Sequence, residues 1–486
     1  MNVRSIGRSV MVALAVLVSM ATAVAWPGTA VAATAPGDSA AAARPVLDLA
    51  QCVDIALRSS LGLATAGAER DAAAAGVQGA WGAFLPSVSL GRQYSKNART
   101  DFNVERTSVI PDSIATLGGR VVPFGITYPT GEIYDEDIKT TYSDWSADAA
   151  LNVFDGLRKY GALKSARSSL RAAESSASYA RQQVVENVAA AYFNLLRYAR
   201  LLEVAGASRD LAARELERME VYFKLGSAAR SDVLQAKVLH EQTRLEVVRA
   251  ENAVEQAFAN LAYAMNRPLA ERFDIDRSTM SSDFTIETLD ALYAEALTRR
   301  MDLQSQAQDL EARRGDVTAA NAGFWPSLDL FLSYSHAKNE SPYRFGAQES
   351  DNLGYGYRVN WNIFDRLQTL SGRGQAKARE RVAEYGLEQA RLDAQLEVRQ
   401  IYNNLVEARE RASLSRETII QAEESLRLAQ ERFRVGAGTT LDAITAQVNL
   451  AKARVDEVQA TCDYLINAAK LDRAVGRAVR YVGRGS

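Results

Sequence analysis

The sequence predicts a mixed fold, in which long α-helices are combined with transmembrane β-strands and the whole arrangement occurs twice along the chain. Three observations support this fold class: a secretory N-terminus, stretches of alternating apolar and polar residues, and a motif present in two copies. The motif reads FKLGSAARSDVLQA at residues 223–236 and FRVGAGTTLDAITA at 433–446. In each copy a glycine interrupts a helical pattern, and an aspartate follows that can cap the next helix. We therefore interpret both copies as tips of helical hairpins in an internally duplicated chain.

The composition of the 486 residues argues against several classes of function. The 57 basic and 59 acidic residues nearly balance, so we expect no nucleic-acid partner, which would normally require a basic face or stripe. The two histidines and two cysteines lack the spacing of a zinc, haem or iron–sulfur site, and we predict no metal and no cofactor. We find no paired nucleophile and base and no phosphate-binding glycine loop, so we do not expect an enzyme.

The N-terminus has the pattern of a secretory signal peptide. Arg4 and Arg8 precede an apolar run over residues 10–25, and small residues suitable for cleavage follow. We predict a signal peptide over residues 1–32 and a flexible lead-in over 33–46. The alternative is a retained membrane anchor, which is disfavoured because a spanning helix needs about 20 apolar residues and this run is shorter.

Two structural repeats follow, at residues 47–266 and 289–476, with an inter-repeat linker at 267–288 and a tail at 477–486. Each repeat begins with a helical pattern that ends at a Phe-x-Pro-Ser phrase, because proline does not continue a helix. After the proline the period of the apolar residues changes from 3.6 to 2. This change predicts one β-hairpin in each repeat.

The hairpins occupy residues 86–154 and 326–364, and each ends on Asn-x-Phe-Asp. We predict two strands of about ten residues in each hairpin, a length suited to crossing a membrane. The intervening segments, near 97–138 and 337–350, are predicted to be exposed outer loops because the first is rich in Gly, Pro, Thr and Asp.

Two interpretations of the four strands remain. They form a half-buried sheet of a soluble protein, or they are barrel strands that cross an outer membrane, which the alternation and the aromatic ends favour. The lipid-facing aromatic residues of the second interpretation are Tyr94, Trp145, Tyr334, Tyr355 and Trp361. Four strands cannot close a barrel, and an open edge in lipid leaves backbone groups unpaired. We therefore expect the chain to oligomerise.

Long helices follow each hairpin, over residues 157–225 and 367–435. Small and apolar residues recur there in steps of three and four, as in a coiled-coil seam. Each helix of about 70 residues is on the order of 100 Å long. The helices that return from the tips, 232–266 and 442–475, are half that length, and the helix before each hairpin supplies the remainder. We expect two short helices stacked end to end beside each long one, in a tall tube with the strands at one end.

Taken together, these features resemble the TolC-like outer-membrane efflux protein family over residues 47–476. The resemblance rests on the duplication, the Phe-x-Pro-Ser strand entries, the Asn-x-Phe-Asp strand exits and the two tips. It implies a homotrimer whose twelve strands, four from each chain, form one outer-membrane β-barrel that is continuous with a long periplasmic α-helical barrel. It further implies an exit duct for a tripartite efflux pump or a type I secretion system. The implied partners are outer-membrane lipid, a periplasmic adaptor (membrane fusion) protein and an inner-membrane transporter of the RND, ABC or MFS class.

The resemblance places the tips at the periplasmic aperture of the channel. The candidate aperture residues are Phe223, Gly226, Arg230, Asp232, Phe433, Arg434, Gly436 and Asp442. Asp442 either caps a helix or forms, in three copies, an acidic ring, with Arg230, Arg432 and Arg434 as tethers between neighbouring helices. Thr445 and Gly438 depart from the family, which often has an acidic residue and an arginine at these positions. The two phenylalanines either pack within the hairpin or dock against an adaptor.

Two further alternatives stay open at this stage. A soluble periplasmic coiled-coil adaptor or scaffold shares the long helices with an outer-membrane duct. Cys52 and Cys462 either form a disulfide in the oxidising periplasm or remain as buried thiols.

Overall fold

The computed structural model describes residues 46–117, 120–269, 271–276, 286–340 and 348–479. The predicted signal peptide and residues 33–45 of the lead-in lie outside the described residues, as do most of the C-terminal tail and much of the linker.

The first repeat alternates helix, strand pair and helix. Its elements are β1 (Val46–Leu47), α1 (Leu49–Ser59), α2 (Leu61–Gly82), β2 (Ser87–Leu117), β3 (Arg120–Phe154), α3 (Arg158–Lys224) and α4 (Arg230–Ala264). A two-residue strand, β4 (Asp274–Ile275), follows and pairs in parallel with β1.

The second repeat has the same order. Its elements are α5 (Leu289–Arg299), α6 (Met301–Ala320), a 3₁₀-helix (Asn321–Phe324), β5 (Ser327–Glu340), β6 (Gln348–Asn360), α7 (Gln368–Arg434) and α8 (Thr440–Val475). The helices α3 and α7 have 67 residues each, which confirms the two long helices predicted from the periodicity. Within the described ranges, every helix is either too short or too polar to be a membrane span.

The long helices begin where the Asn-x-Phe-Asp motifs end, and the final aspartate explains why. A carboxylate oxygen of Asp155 accepts a hydrogen bond from the backbone N–H of Lys159 at 3.1 Å. Asp365 accepts one from the N–H of Thr369 at 2.7 Å. Each aspartate thus satisfies an N–H of the first helical turn that has no partner within the helix.

The short helices lie beside the long ones as the length argument predicted. α3 packs along α2 and α4, and α7 packs along α6 and α8. The two repeats join where α3 crosses α6. A Cβ atom at Gly161 would lie 2.4 Å from the backbone nitrogen of Ala319, and one at Gly315 would lie 2.6 Å from that of Ser165. The two helix backbones therefore touch at these glycines, which no larger residue permits.

The four long strands form one antiparallel sheet in the order β2-β3-β5-β6, so β2 and β6 are its edges. Arg92, Trp145, His336 and Asp351 lie level with one another in one row across the sheet. The row on the side nearer the helices contains Leu90, Ala147, Tyr334 and Leu353. Because side chains alternate between faces along a strand, both rows belong to the same face.

The strands of the first hairpin are much longer than predicted. The ladder between β2 and β3 runs from Ser87 opposite Ala150 to Leu117 opposite Arg120, so the prediction of a loop over 97–138 was wrong. The threonine, valine and isoleucine residues of this segment are β-branched and favour strands. Its irregularities are absorbed by register shifts, one of which spans Pro111. In the second hairpin the strands likewise extend into the predicted loop, and residues 341–347 lie outside the described part of the chain.

The main apolar core lies near the middle of the long helices. It joins α1, the ends of α4 and α8, α5 and the central turns of α3 and α7. Tyr192 and Phe193 of α3 are fully buried there, and the hydroxyl of Tyr192 donates to the carbonyl of Asp276 at 2.7 Å. Cys52 and Cys462 are both buried and both free, and burial raises the pKa of Cys52 to about 12 and that of Cys462 to about 11.

Candidate functional site

The first tip joins α3 to α4 through a glycine with positive φ. Gly226 has φ +77°, and the N–H of Ser227 donates to the carbonyl of Tyr222 at 2.9 Å, which closes the end of α3. At the start of α4, a carboxylate oxygen of Asp232 accepts from the N–H of Ala229 at 3.1 Å. Ala229 has no side-chain oxygen to return the contact, so this helix start has half of a capping box.

The second tip has the same turn and a complete cap. Gly436 has φ +75°, and the N–H of Ala437 donates to the carbonyl of Arg432 at 2.8 Å. The N–H and the hydroxyl of Thr439 both donate to Oδ2 of Asp442, and the N–H of Asp442 donates back to the Thr439 hydroxyl at 3.2 Å. These bonds from Thr439, with a smaller contribution from the charge of Arg432, lower the pKa of Asp442 below its usual value.

The two phenylalanines of the motif have different environments. Phe433 is half-buried and packs against Tyr222 of the first tip, with ring centroids 6.1 Å apart. Phe223 is 46% exposed at the corresponding position. The structure therefore assigns Phe433 to packing between the tips, whereas Phe223 presents an apolar ring on the surface.

The predicted arginine tethers are also unequal. Arg434 pairs with Glu431 of its own helix, at 2.8 Å between Nη2 and Oε2, and both side chains are largely exposed. Arg230 is exposed at the first turn of α4. At Gly438, a Cβ atom would meet Cβ of Arg432 at 3.0 Å. An arginine at position 438 would thus displace Arg432, which accounts for the glycine at that position.

Four of the five predicted strand aromatics share one face of the sheet. The register puts Tyr94, Trp145, Tyr334 and Tyr355 on the same side, and the rings of Trp145 and Tyr334 lie 5.3 Å apart. This face also carries several large exposed apolar residues: Val88, Leu90, Leu330, Tyr357 and Val359. The opposite face carries the polar residues that alternate with them, such as Ser89, Asp148, Ser333 and Arg358.

Trp361 corrects the prediction for the fifth aromatic. β6 ends at Asn360, so Trp361 lies just outside the strand. Its indole N–H donates to the carbonyl of Phe324 at 3.3 Å, where the preceding helix gives way to β5. The period of two continues through Trp361 in the sequence, but the turn toward Asp365 ends the ladder first.

Sequence reasoning missed a buried cluster of charges at the joint between α5 and α6. Arg300 is only 5% exposed, and its guanidinium contacts Oε2 of Glu397 at 2.6 Å and Oδ2 of Asp302 at 2.7 Å. Arg473 bridges Glu397 to Glu186. At the corresponding joint of the first repeat, Ser60 caps α2 instead. In the sequence, the arginine at the position that corresponds to Ser60 could have indicated the cluster. Other members of the cluster, such as Glu397 and Glu186, could not be inferred, because they are distant in sequence.

The carboxylates of this cluster differ in their proton affinity. Burial alone would raise the pKa of Glu397, but the hydrogen bond from Arg300 and the charges of Arg473 and Arg300 lower it. For Glu186 burial dominates, and its pKa is raised although Arg473 offsets part of the effect. Among the described residues, no group of three or more His, Cys, Asp or Glu side chains is arranged to hold a metal ion. The ion pairs of Arg300 and Arg473 connect the joint between α5 and α6 to α3, α7 and α8.

A comparison with known protein families identifies the family of this chain, which has two repeats, a four-stranded sheet and two tips. The chain matches the description "Outer membrane efflux protein" over residues 52–267 and 292–477, which is most of its length. This chain belongs to the outer membrane efflux protein family. The resemblance derived from the sequence is thereby confirmed.

Two curated relatives of this outer membrane efflux protein illustrate the similarity. Outer membrane protein TolC of Vibrio cholerae is 24% identical over 431 residues, covering 88% of this chain and 90% of the relative. Pyoverdine export outer membrane protein OpmQ of Pseudomonas aeruginosa is 24% identical over 400 residues, covering 81% of this chain and 82% of the relative. Both relatives are outer-membrane proteins, and neither is described as an enzyme.

Solved structures share the fold of this outer membrane efflux protein. Outer membrane protein VceC from Vibrio cholerae has a TM-score of 0.69 at 19% identity, covering 89% of this chain and 97% of that chain. The open-state MtrE outer membrane channel of Neisseria gonorrhoeae has a TM-score of 0.65 at 20% identity, covering 89% of this chain and 90% of that chain.

Membership of the family decides between an outer-membrane duct and a soluble periplasmic protein. As an outer membrane efflux protein, the chain is an outer-membrane exit duct for efflux or secretion with a large periplasmic portion. The comparisons give no support to a soluble coiled-coil adaptor.

Proposed function

We propose that three copies of this chain form one closed twelve-stranded barrel, through which substrates leave the periplasm. The observation that carries the proposal is the four-stranded sheet, which has β2 and β6 as its edges and an exposed apolar face. An open edge in lipid leaves backbone N–H and C=O groups without hydrogen-bond partners, at several kcal/mol each. Closing the sheet with identical neighbours removes every edge, and three-fold symmetry fits the family.

The face with Tyr94, Trp145, Tyr334 and Tyr355 is the one we assign to lipid. Aromatic side chains are favoured where the hydrocarbon meets the polar headgroups. The polar face, with residues such as Asp148 and Arg358, then lines a hydrated lumen. The sheet leads directly into the helices, so the lumen would continue into a periplasmic helical tunnel.

The tips are the proposed aperture at the other end of the tunnel. The completely capped start of α8 holds Asp442 at the surface, where three copies would bring three carboxylates around one axis. The hydrogen bonds from Thr439 lower the pKa of Asp442 within one copy, and a ring of carboxylates attracts cations. Exposed Phe223 is the proposed apolar contact for the adaptor.

We further propose that the chain catalyses no reaction and works with an energised partner. A periplasmic adaptor would seat on the tips and connect them to an inner-membrane transporter of the RND, ABC or MFS class. One curated relative is described as exporting pyoverdine and another as an antibiotic efflux pump protein, which supports a small-molecule cargo.

The decisive experiment is fractionation followed by reconstitution. The protein extracted from outer membranes should migrate on SDS gels as a trimer that separates into monomers on boiling, and it should form channels in planar bilayers. Deletion of its gene should abolish export of the cargo while the transporter remains intact. A water-soluble monomer that forms no channels would contradict the proposal.

A further inference from the structure

The two edge strands of the sheet carry opposite charges on the apolar face. On β2 this face presents Arg92 and Lys96, and on β6 it presents Glu349 and Asp351. Arg92 and the two acidic residues lie level with the half of β6 that is remote from the helices, and Lys96 lies just beyond the end of that half. Opposite charges on the two edges suit a contact between β6 of one copy and β2 of the next, because such cross-strand pairs stabilise a ladder.

Barrel geometry restricts how these two edges can meet. On one circuit of a closed barrel, the hydrogen-bond register shifts along the strands by a fixed number of residues. This offset sets the tilt of the strands. In a symmetric trimer each copy contributes one third of this offset. The offset per copy must be an even number of residues, because an odd number would place apolar side chains of one strand beside polar side chains of the next. With strands about 4.7 Å apart and a rise of about 3.3 Å per residue, offsets of four and six residues per copy give tilts of about 35° and 45°. Other even offsets fall outside the range of membrane barrels.

The direction of the offset follows from the lengths of the strands. Within one chain Asp351 lies level with Arg92. An offset toward the helices would carry most of β6 past Ser87, where β2 begins. An offset away from the helices keeps all of β6 alongside β2, since β2 continues to Leu117. The first 15 residues of β2 thus provide all the surface that β6 of a neighbouring copy needs in either register.

The two remaining registers differ in what they place opposite Asp351. An offset of four puts Asp351 opposite Lys96 of the neighbour, Tyr355 opposite Arg92 and Val359 opposite Val88. An offset of six puts Asp351 opposite Ala98 and leaves Lys96 opposite Leu353. Both registers place an aromatic ring opposite Arg92, since the second puts Tyr357 there. Only the first register pairs opposite charges, and it leaves one charge, Glu349, opposite the apolar Ala98. The second pairs no opposite charges and places two charges, Asp351 and Lys96, opposite apolar residues.

We propose that neighbouring copies of this chain join in the four-residue register, with an ion pair between Lys96 of β2 and Asp351 of the neighbour's β6. The inference rests on the proposed trimer and specifies its seam. Asp351 is already positioned on its own sheet, since Oδ1 lies 2.7 Å from Nδ1 of His336 and accepts from the hydroxyl of Tyr334 at 3.2 Å. Its side chain is still 32% exposed. Lys96 is exposed and lies 6.0 Å from the centre of the Tyr94 ring.

Cysteine cross-linking in outer membranes distinguishes the registers. Lys96→Cys combined with Asp351→Cys should give, on oxidation, covalent dimers and trimers that survive boiling without reductant. Ala98→Cys combined with Asp351→Cys is the matched control, because positions 96 and 98 lie on the same face of the same strand. The single variants, which retain Cys52 and Cys462, should give monomers on boiling. Cross-linking of the Ala98 pair instead, or of neither pair in a protein that still forms heat-sensitive trimers, would overturn the register.

Charge reversal supplies a second, independent readout. Lys96→Glu should lower the temperature at which the trimer dissociates in SDS by several degrees, and adding Asp351→Lys should recover most of that loss. Lys139→Glu is the control, since Lys139 lies on the same face but on the interior strand β3. Equal effects of Lys96→Glu and Lys139→Glu would refute the ion pair. If the unmodified protein forms no trimer, the proposed function itself is refuted. A trimer that is insensitive to these substitutions refutes only the register and its ion pair.

Discussion

Oδ2 of Asp442 accepts two hydrogen bonds from Thr439, one from its backbone N–H at 2.9 Å and one from its hydroxyl at 2.7 Å. The corresponding aspartate of the first tip, Asp232, accepts from the backbone of Ala229 alone. The duplicated tips thus share a turn but differ in the number of hydrogen bonds that hold each carboxylate. Substituting each aspartate in turn can therefore separate a role in helix capping from a role in ion conduction.

Asp442→Asn should change conduction and preserve the fold. Thr439 is the N-cap of α8, and Asp442 is the third helical residue. The amide oxygen of asparagine can accept the same hydrogen bonds from Thr439, as glutamine does in a capping box, so the start of α8 should remain intact while three charges leave the proposed aperture. We expect the cation-to-anion permeability ratio in planar bilayers to fall several-fold. Asp232→Asn is the matched control at the first tip and should have the smaller effect. Unchanged selectivity of Asp442→Asn would limit this residue to its capping role.

Arg300→Met should destabilise the protein strongly. The substitution keeps most of the side-chain volume but leaves Glu397 and Asp302 without the guanidinium that compensates their burial. Removing one partner of a buried ion pair costs about 3 to 5 kcal/mol, and we expect the lower end because Glu397 keeps Arg473. Thermal or denaturant unfolding of the purified protein measures the loss.

The control for this prediction is Arg434→Met, which removes an exposed ion pair with Glu431. Exposed pairs contribute at most about 1 kcal/mol. If both variants unfold at the same midpoint as the unmodified protein, the cluster around Arg300 does not pin the helical joint.

Gly161→Ala should weaken the contact between the two repeats. The added methyl group would lie 2.4 Å from the backbone of Ala319, so α3 and α6 must separate. Overpacking of this kind costs about 1 to 3 kcal/mol. Gly372→Ala in α7 is the control, because its methyl group meets nothing within 4 Å, and removing a helical glycine stabilises by about 1 kcal/mol. Unfolding midpoints that move in the same direction would contradict this packing.

Cys52 and Cys462 should be unreactive in the native protein. With pKa values of about 12 and 11, less than about one thiol in a thousand is ionised at pH 8, and the thiolate is the reactive species. Both should remain unmodified by a maleimide until the protein is denatured, when two labels per chain are expected. A mass that increases by two hydrogens on reduction would instead demonstrate a disulfide.

Local signals in the sequence predicted the helices and the tips because the forces that form them act within a few residues. The proline at 86 ends one helix, Gly226 and Gly436 permit the left-handed turns, and Thr439 and Asp442 form the capping box of the helix that follows. The two long helices were predictable from the spacing of their apolar residues. The duplication then placed equivalent elements in both halves.

Other features depended on contacts between distant parts of the chain. Whether the segment over 97–138 forms a loop or a ladder depends on pairing between β2 and β3, which turn-forming residues obscured. Trp361 follows the strand period, yet the turn to α7 places it beyond β6.

The sequence by itself determined the fold class, the two repeats and the family, since these rest on periodicity and on short motifs. Only the tertiary structure decided which copy of each motif has which role. It packed half-buried Phe433 against Tyr222 while Phe223 stayed exposed, and it brought Glu397 to Arg300. The physical reason is that equivalent sequences meet different neighbours once the halves pack together, and the burial of a side chain is a property of those neighbours.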